Sequence, residues 1–492
     1  MQLLFVDSSV RNPNQPLDKM RYPAVLLIPI AVVGISLFIG SDTQSNQTEE
    51  PGAVLYAEFC QDCHGTNGRD FVGRTWKLGS RKKDLLRVME EGYPLLGMPG
   101  YGTTMGPEEL DSLAEYVLHQ AQKEKRFYPT APRTEKTSDL TIRADVIMDG
   151  LETPWGMDLT NQGGLLVTER EGRLWHFQEG VQKLVEGLPD DIIVKGQGGL
   201  MDVAFWTDNK TDESWVYLSY SKLHPDNDRL SATGLIRGRW EVADSTFRLA
   251  DVETLFIATP YEKTHHHYGS RIAFGPDDML YLTCGERGRR DTHPQSLESR
   301  PGKVHRLHPD GTIPADNPFL NTPGAEPSIW TWGHRNPQGM FVHPTTGEIW
   351  THEHGPKGGD EINILRKGAN YGWPTITFGR NYSGTIITRD TAMTGMEQPL
   401  YYWLPSIGAC GLDIIDGGQW PKAWQGNLLA GSLSFEYLER LVLDQDQTVI
   451  HRENLLEEIG RVRDICTGPN GDVFVAIEGA GTVVRLIPLP KL

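Results

Sequence analysis

The sequence predicts a multidomain chain: an all-β six-bladed β-propeller behind a small all-α domain and an N-terminal transmembrane or signal helix. Three observations predict it. A hairpin theme recurs through the C-terminal part of the chain, a C-x-x-C-H motif stands at residues 60–64, and residues 22–40 are apolar without a charge. The 53 glycines and 32 prolines fit a chain rich in turns.

Residues 1–50 come first. The apolar run 22–40 is about long enough to cross a bilayer as one helix. Arg11, Lys19 and Arg21 precede it, the polar stretch SDTQSNQTEE follows, and no A-x-A cleavage site is present. The pattern predicts an exported chain. It would face the periplasm from the inner membrane, anchored by this helix, or be released there if the segment is cleaved.

Residues 51–127 form the second element. RKKDLLRVMEEG places Leu85, Leu86 and Met89 on one helical face, and GPEELDSLAEYVLHQAQ repeats Leu110, Leu113, Ala114, Val117 and Leu118 at helical spacing. Pro107, Glu108 and Glu109 suit the first turn of the second helix. CQDCHG at 60–65 predicts covalent haem c, with Cys60 and Cys63 adding to the vinyl groups and His64 as proximal ligand. A zinc site would need further cysteines nearby, and the next is Cys284. Met98 and Met105 are the candidates for the sixth ligand. The unit resembles a class I cytochrome c, whose distal ligand lies in an M-P dipeptide before the last helix, and that resemblance implies Met98. His/Met ligation favours a relatively high potential, suited to accepting electrons. Residues 128–140, rich in Pro, Thr and charge, read as a linker.

From 141 to 492 alternation replaces helical periodicity. Hairpins are read at 163–177, 198–221, 270–288, 337–355, 410–433 and 462–479, several turning through GPDD, HPTTG or GPNG. Six such units predict six blades; a β-sandwich or two smaller β domains is the alternative. The net charge of −18 argues against a nucleic-acid partner.

Within this region GQGGL (196–200), HHHYGSR (265–271), GHRNPQG (333–339), EHGPKGGDEIN (353–363) and GRVRD (460–464) stand near predicted blade ends. Taken singly, these are turns, a solvated loop and a strand edge. Blade ends converge on one axial mouth, however. Arg461 and Arg463 lie two apart on a strand, which suits an anion with several carboxylates. HGP offers carbonyl oxygens to Ca²⁺.

These motifs resemble the soluble aldose/glucose dehydrogenases that use pyrroloquinoline quinone (PQQ), a six-bladed propeller family. The resemblance implies His267 as general base toward the sugar's anomeric hydroxyl, Glu286 as its orienting carboxylate, and Arg335 as the cation for charge developing on the quinone oxygen. It implies Gln197 and Asn336 at the quinone edge and Arg461 with Arg463 on its carboxylates. Carbonyls of Gly355 and Pro356 would hold an active-site Ca²⁺, and Glu361 with the Tyr371 carbonyl a second. Two positions depart from the pattern: Ser434 replaces a usual lysine, and His354 stands where some relatives carry glutamine. The expected activity is oxidation of an aldose to its lactone, with electrons passing from PQQ to the haem and then to a downstream cytochrome, oxidase or quinone pool. A PQQ dehydrogenase of another alcohol or pyranose, or a non-catalytic propeller binding glycans or partners, is the alternative.

Overall fold

The helical face of Leu110, Leu113, Ala114 and Val117 does what its spacing predicts: all four are buried in α4, Pro107–Ala121. The structure is a computed structural model. It describes residues 50–64, 71, 79, 81–94, 98–122, 132–244 and 246–489, without the side chains of Asp62 and Cys63. The apolar run 22–40 and the Cys63 thiol therefore lie outside the described residues. All described residues fall in one unit, Glu49–Leu492.

Among the described residues, four helices make the N-terminal part: α1 Pro51–Phe59, α2 Gln61–His64, α3 Lys82–Glu91 and α4. Pro107 opens α4, and the Gly106 N–H donates to Glu109 Oε2 at 2.8 Å, closing one half of a capping box. α1 crosses α4 closely at Gly52, where a Cβ would stand 2.3 Å from the Ser112 carbonyl oxygen. Tyr56, Leu85, Met89, Tyr101 and Met105 fill the core between the helices. Among the described residues, no helix is long and apolar enough to cross a membrane.

The remainder is mostly β and propeller-like, built from six four-stranded antiparallel units. Their innermost strands are Pro154–Leu159, Leu200–Thr207, Gly269–Phe274, Pro337–Val342, Ala409–Ile414 and Arg461–Thr467. Each packs on the next, and the sixth returns to the first, so the ring closes. Units one and two also share a sheet, because Val181–Glu186 pairs in parallel with Thr246–Ile257. The sixth unit joins the two ends of the β region: Thr141–Met148 pairs with Thr482–Leu489. Arg133–Lys136, read from sequence as linker, adds an outermost strand paired with Thr141–Ala144. Its four polar residues alternate between half-buried and exposed, since a rim strand needs no apolar face.

Side chains bolt each unit to its neighbour. Asp464 accepts the Met157 N–H (2.8 Å), Asp158 that of Phe205 (2.6 Å), Asp202 that of Ile272 (2.8 Å) and Asp413 that of Thr467 (2.6 Å). Arg271 Nε donates to the Gln338 carbonyl (2.8 Å) and His352 Nε2 to the Gly411 carbonyl (3.0 Å), which completes the circle. At the axis the Arg271 guanidinium lies between Asp202 (3.0 Å) and Asp464 (2.7 Å). Apolar wedges such as Phe341, Trp350, Trp403, Leu412 and Leu441 fill the space between adjacent units.

Candidate active site

One cavity of about 770 Å³ gathers most of the residues singled out from sequence. From the β ring it takes Gln197, His267, Arg335, Gly355, Pro356, Arg461 and Arg463; from the helical part it takes Cys60, His64 and Met98. Glu286 stands behind His267. Met105 is instead buried in the helical core and borders a different hollow. Phe59 lies beside Cys60 with the Lys357 ammonium 4.7 Å from its ring centroid, a contact between the helical part and the ring.

His267 takes its position from a strained backbone, with φ of 52°. Its N–H donates to Gln197 Oε1 at 2.8 Å and its carbonyl accepts from the Arg287 N–H at 3.3 Å. Gln197 thus commits its carbonyl end to His267. The His267 Nδ1 lies 2.6 Å from Glu286 Oε1. Burial, with Arg335 and His354 adding to it, holds the imidazole well below its ordinary 6.5. Burial pushes the Glu286 carboxyl up, and the Arg335 charge opposes this. With Nδ1 as donor to the carboxylate, the Nε2 lone pair is left to accept a proton.

Arg335 Nη1 donates to the His354 carbonyl (3.0 Å), and its guanidinium lies 5.4 Å from the Trp373 ring centroid. Asn336 stands directly behind the cavity residue His354, its Nδ2 3.5 Å from His354 Nδ1. It is 1% exposed, and its Oδ1 accepts from the Gly269 N–H (3.0 Å) and Gln338 Nε2 (3.3 Å), which draws the amide into the wall. Arg461 and Arg463 both reach the cavity despite a register slip between Val462 and Asp464. They share Glu478: Arg463 Nε is 3.0 Å from Oε2 and Arg461 Nε 3.6 Å from Oε1. Despite burial, the Arg463 and Arg461 charges hold the Glu478 carboxyl far below the usual range.

Among the described residues, five arginines line the cavity, Arg170, Arg290, Arg335, Arg461 and Arg463, against the carboxylates of Asp360 and Glu478. His266 and His354 also line it, each pushed down to about 3, chiefly by burial, so neither adds charge at neutral pH. His266 Nδ1 and Arg170 Nε are buried without a hydrogen-bond partner among the described residues. Such a wall suits a polyanion.

For Ca²⁺ the offer is oxygen from the backbone. Among the described residues no three His, Cys, Asp or Glu side chains converge as a metal site. Pro356 presents its carbonyl to the Ser406 hydroxyl at 3.2 Å, and Asp360 accepts the Gly355 N–H at 2.8 Å. Glu361 and Tyr371 lie away from this cavity. Glu361 faces Glu353 across the strand pair, and burial with that neighbour pushes its carboxyl up to about 8. The Tyr371 ring stacks on His334, 4.7 Å between centroids, and its hydroxyl donates to the Ile364 carbonyl at 2.6 Å.

Residues 151–485 match the family model described as Glucose / Sorbosone dehydrogenase. The chain belongs to the glucose/sorbosone dehydrogenase family. Residues 47–117 match the model of the cbb3-type cytochrome c oxidase subunit III, so this member of the family also carries a cytochrome c domain. An aldose sugar dehydrogenase of Escherichia coli (strain K12) is 36% identical over 354 residues, which cover 71% of this chain and 93% of that one. Quinoprotein glucose dehydrogenase B of Acinetobacter calcoaceticus is 29% identical over 423 residues, covering 69% of this chain and 86% of the other. The solved soluble aldose sugar dehydrogenase of Escherichia coli, in its apo form, superposes with a TM-score of 0.65 at 35% identity, covering 71% of this chain and all of that one (100%).

Trp155, Arg170 and Glu478 line the cavity without having been singled out from sequence. For Glu478 a signal existed: in the last hairpin Arg461 pairs directly with it across the strands. Arg170 sits in a plain strand-turn stretch, TEREG, that carries no such mark.

Proposed function

We propose that this family member oxidises an aldose at its anomeric carbon to the lactone, with PQQ as the acceptor in the cavity, and that electrons then pass to haem c of the same chain. One observation carries the reading: a single cavity is bordered by Cys60, His64 and Met98 on one side and by His267, Arg335, Arg461 and Arg463 on the other. When bound, PQQ supplies a two-electron acceptor, the haem a one-electron acceptor, and Ca²⁺ a Lewis acid.

The chain's own residues do the rest. His267 takes the proton of the anomeric hydroxyl on Nε2, and Glu286 stabilises the resulting imidazolium through its 2.6 Å contact with Nδ1. Arg335, tied to the His354 carbonyl, presents fixed positive charge where negative charge develops. Arg461 and Arg463 hold carboxylates, and Gln197 keeps the His267 backbone in its left-handed turn. Cys60 and Cys63 would hold the haem covalently, with His64 and Met98 as its axial ligands. Gly355 and Pro356 would offer oxygens to one Ca²⁺, Glu361 and Tyr371 to a second. The apolar run 22–40 supports a periplasm-facing chain, held at the membrane or released, that hands electrons to a downstream cytochrome, oxidase or quinone pool.

Stopped-flow mixing of the PQQ-loaded protein with an aldose tests the reading. Haem reduction should require PQQ and proceed at a rate independent of protein concentration. A haem that stays oxidised while an added dye is reduced would sink the internal route. Absence of turnover on every aldose would sink the sugar reading itself.

A further inference from the structure

Arg170 is held firmly by its backbone and loosely by its head. Its N–H donates to the Thr153 carbonyl (3.0 Å), and its carbonyl accepts from the Leu200 N–H (3.0 Å). The side chain runs over Gly199, where a Cβ would come within 2.4 Å of Arg170 Cγ, so only glycine leaves it room. The guanidinium has five N–H donors. Two contacts occupy it, both long: Nη1 to the Gly196 carbonyl and Nη2 to Glu171 Oε1, each 3.4 Å. Nε is buried and makes none among the described residues. Arg170 borders the same cavity as Arg461 and Arg463, and its charge acts on Glu478, the carboxylate those two share. Three guanidiniums therefore stand around that wall, against Glu478 and the neighbouring Glu171.

We infer that Arg170 is a third anchor for the carboxylates of the bound quinone, alongside Arg461 and Arg463. The inference rests on the proposed use of PQQ, a tricarboxylate. Among the described residues the Nη donors are held only by their two 3.4 Å contacts, and a ligand carboxylate placed against them gains a charge-assisted pair. Arg290, which also lines the cavity, differs: its Nη1 already donates to Asn381 Oδ1 at 2.6 Å.

The test is equilibrium titration of the cofactor-free full chain with PQQ, followed by calorimetry at two salt concentrations. Arg170→Gln should raise Kd about tenfold or more and flatten its dependence on salt. Arg170→Lys should recover part of the loss, and Arg290→Gln, removing the same charge, should change Kd less. Circular dichroism establishes that each variant is folded; if Arg170→Gln does not fold, Arg170→Lys decides, since its point charge cannot replace the fork and Kd should still rise at least threefold. Kd within twofold of wild type in a folded Arg170→Gln, or in Arg170→Lys where only that variant folds, overturns the inference and leaves the proposed function standing. A wild-type chain that binds no PQQ overturns both.

Discussion

His267 shows how much of the site is decided by one residue's surroundings. A non-glycine residue at a φ of 52° is strained by about 1–3 kcal/mol. Gln197 and Arg287 hold it there, and the turn aims the imidazole at Glu286. Because burial depresses its pKa below 6.5, the neutral, proton-accepting form is fully present at and above pH 6.5 and is lost only as pH falls through the lower value. The acid limb of kcat/KM for aldose oxidation should accordingly lie below pH 6.5. His267→Ala should lower kcat by roughly 10²–10⁴-fold while PQQ titration of the variant stays close to wild type; retained turnover would remove His267 as the base. Residues with unusual chemistry in short motifs, such as Cys60, His267, Arg335 and Arg461, were legible in the sequence. Arg170 was not, because a charge in a turn looks solvated until the ring brings it to the cavity, and Glu478 was overlooked although its pairing with Arg461 in the last hairpin marked it. Asn336 commits its Oδ1 to the Gly269 N–H, while its Nδ2 lies 3.5 Å from Nδ1 of the cavity residue His354, a pairing that its motif did not reveal.

At the scale of elements, the inner strands are joined by carboxylates accepting amide N–H groups from the next unit. Burial pushes the Asp413 carboxyl up to about 7, against the opposing pull of its bonds to Ile414 and Thr467. A folded pKa raised above the unfolded value favours folding in the protonated form. That contribution is fully present below about pH 4 and is lost as pH rises through 7. Asp413→Asn should therefore lose less stability than wild type between pH 6 and 8, by about 1 kcal/mol, in urea denaturation at both pH values. An equal loss in the two proteins would contradict the assignment. The hairpins read from sequence coincide with the two innermost strands in five of the six units. In unit one the reading began a strand late, at Leu165–Glu169, because PWGMDL (154–159) lacks simple alternation. Outer strands such as Val449–Leu455, half exposed and polar, carried no pattern to find.

For the whole molecule, the contact of Lys357 with the Phe59 ring matters because it joins the cytochrome c domain to the ring beside the cavity. Cation–π pairs contribute about 0.5–2 kcal/mol. Lys357→Gln should slow haem reduction by aldose several-fold while dye-linked oxidation proceeds at the wild-type rate. Equal slowing of both would mean that Lys357 serves the chemistry instead. The alternating patterns and C-x-x-C-H made two kinds of domain legible. That they meet around one cavity was not, since no local pattern encodes contacts between residues some 300 positions apart, such as Phe59 and Lys357.

The Arg133–Lys136 strand has a further consequence. It ties the chain to the outer rim of the closing unit and pairs only with Thr141–Ala144, so no inner strand depends on what precedes it. A protease nick among residues 123–131 would leave every blade strand intact. Should the fragments part, the proposed haem reduction would change from first order to second order in protein.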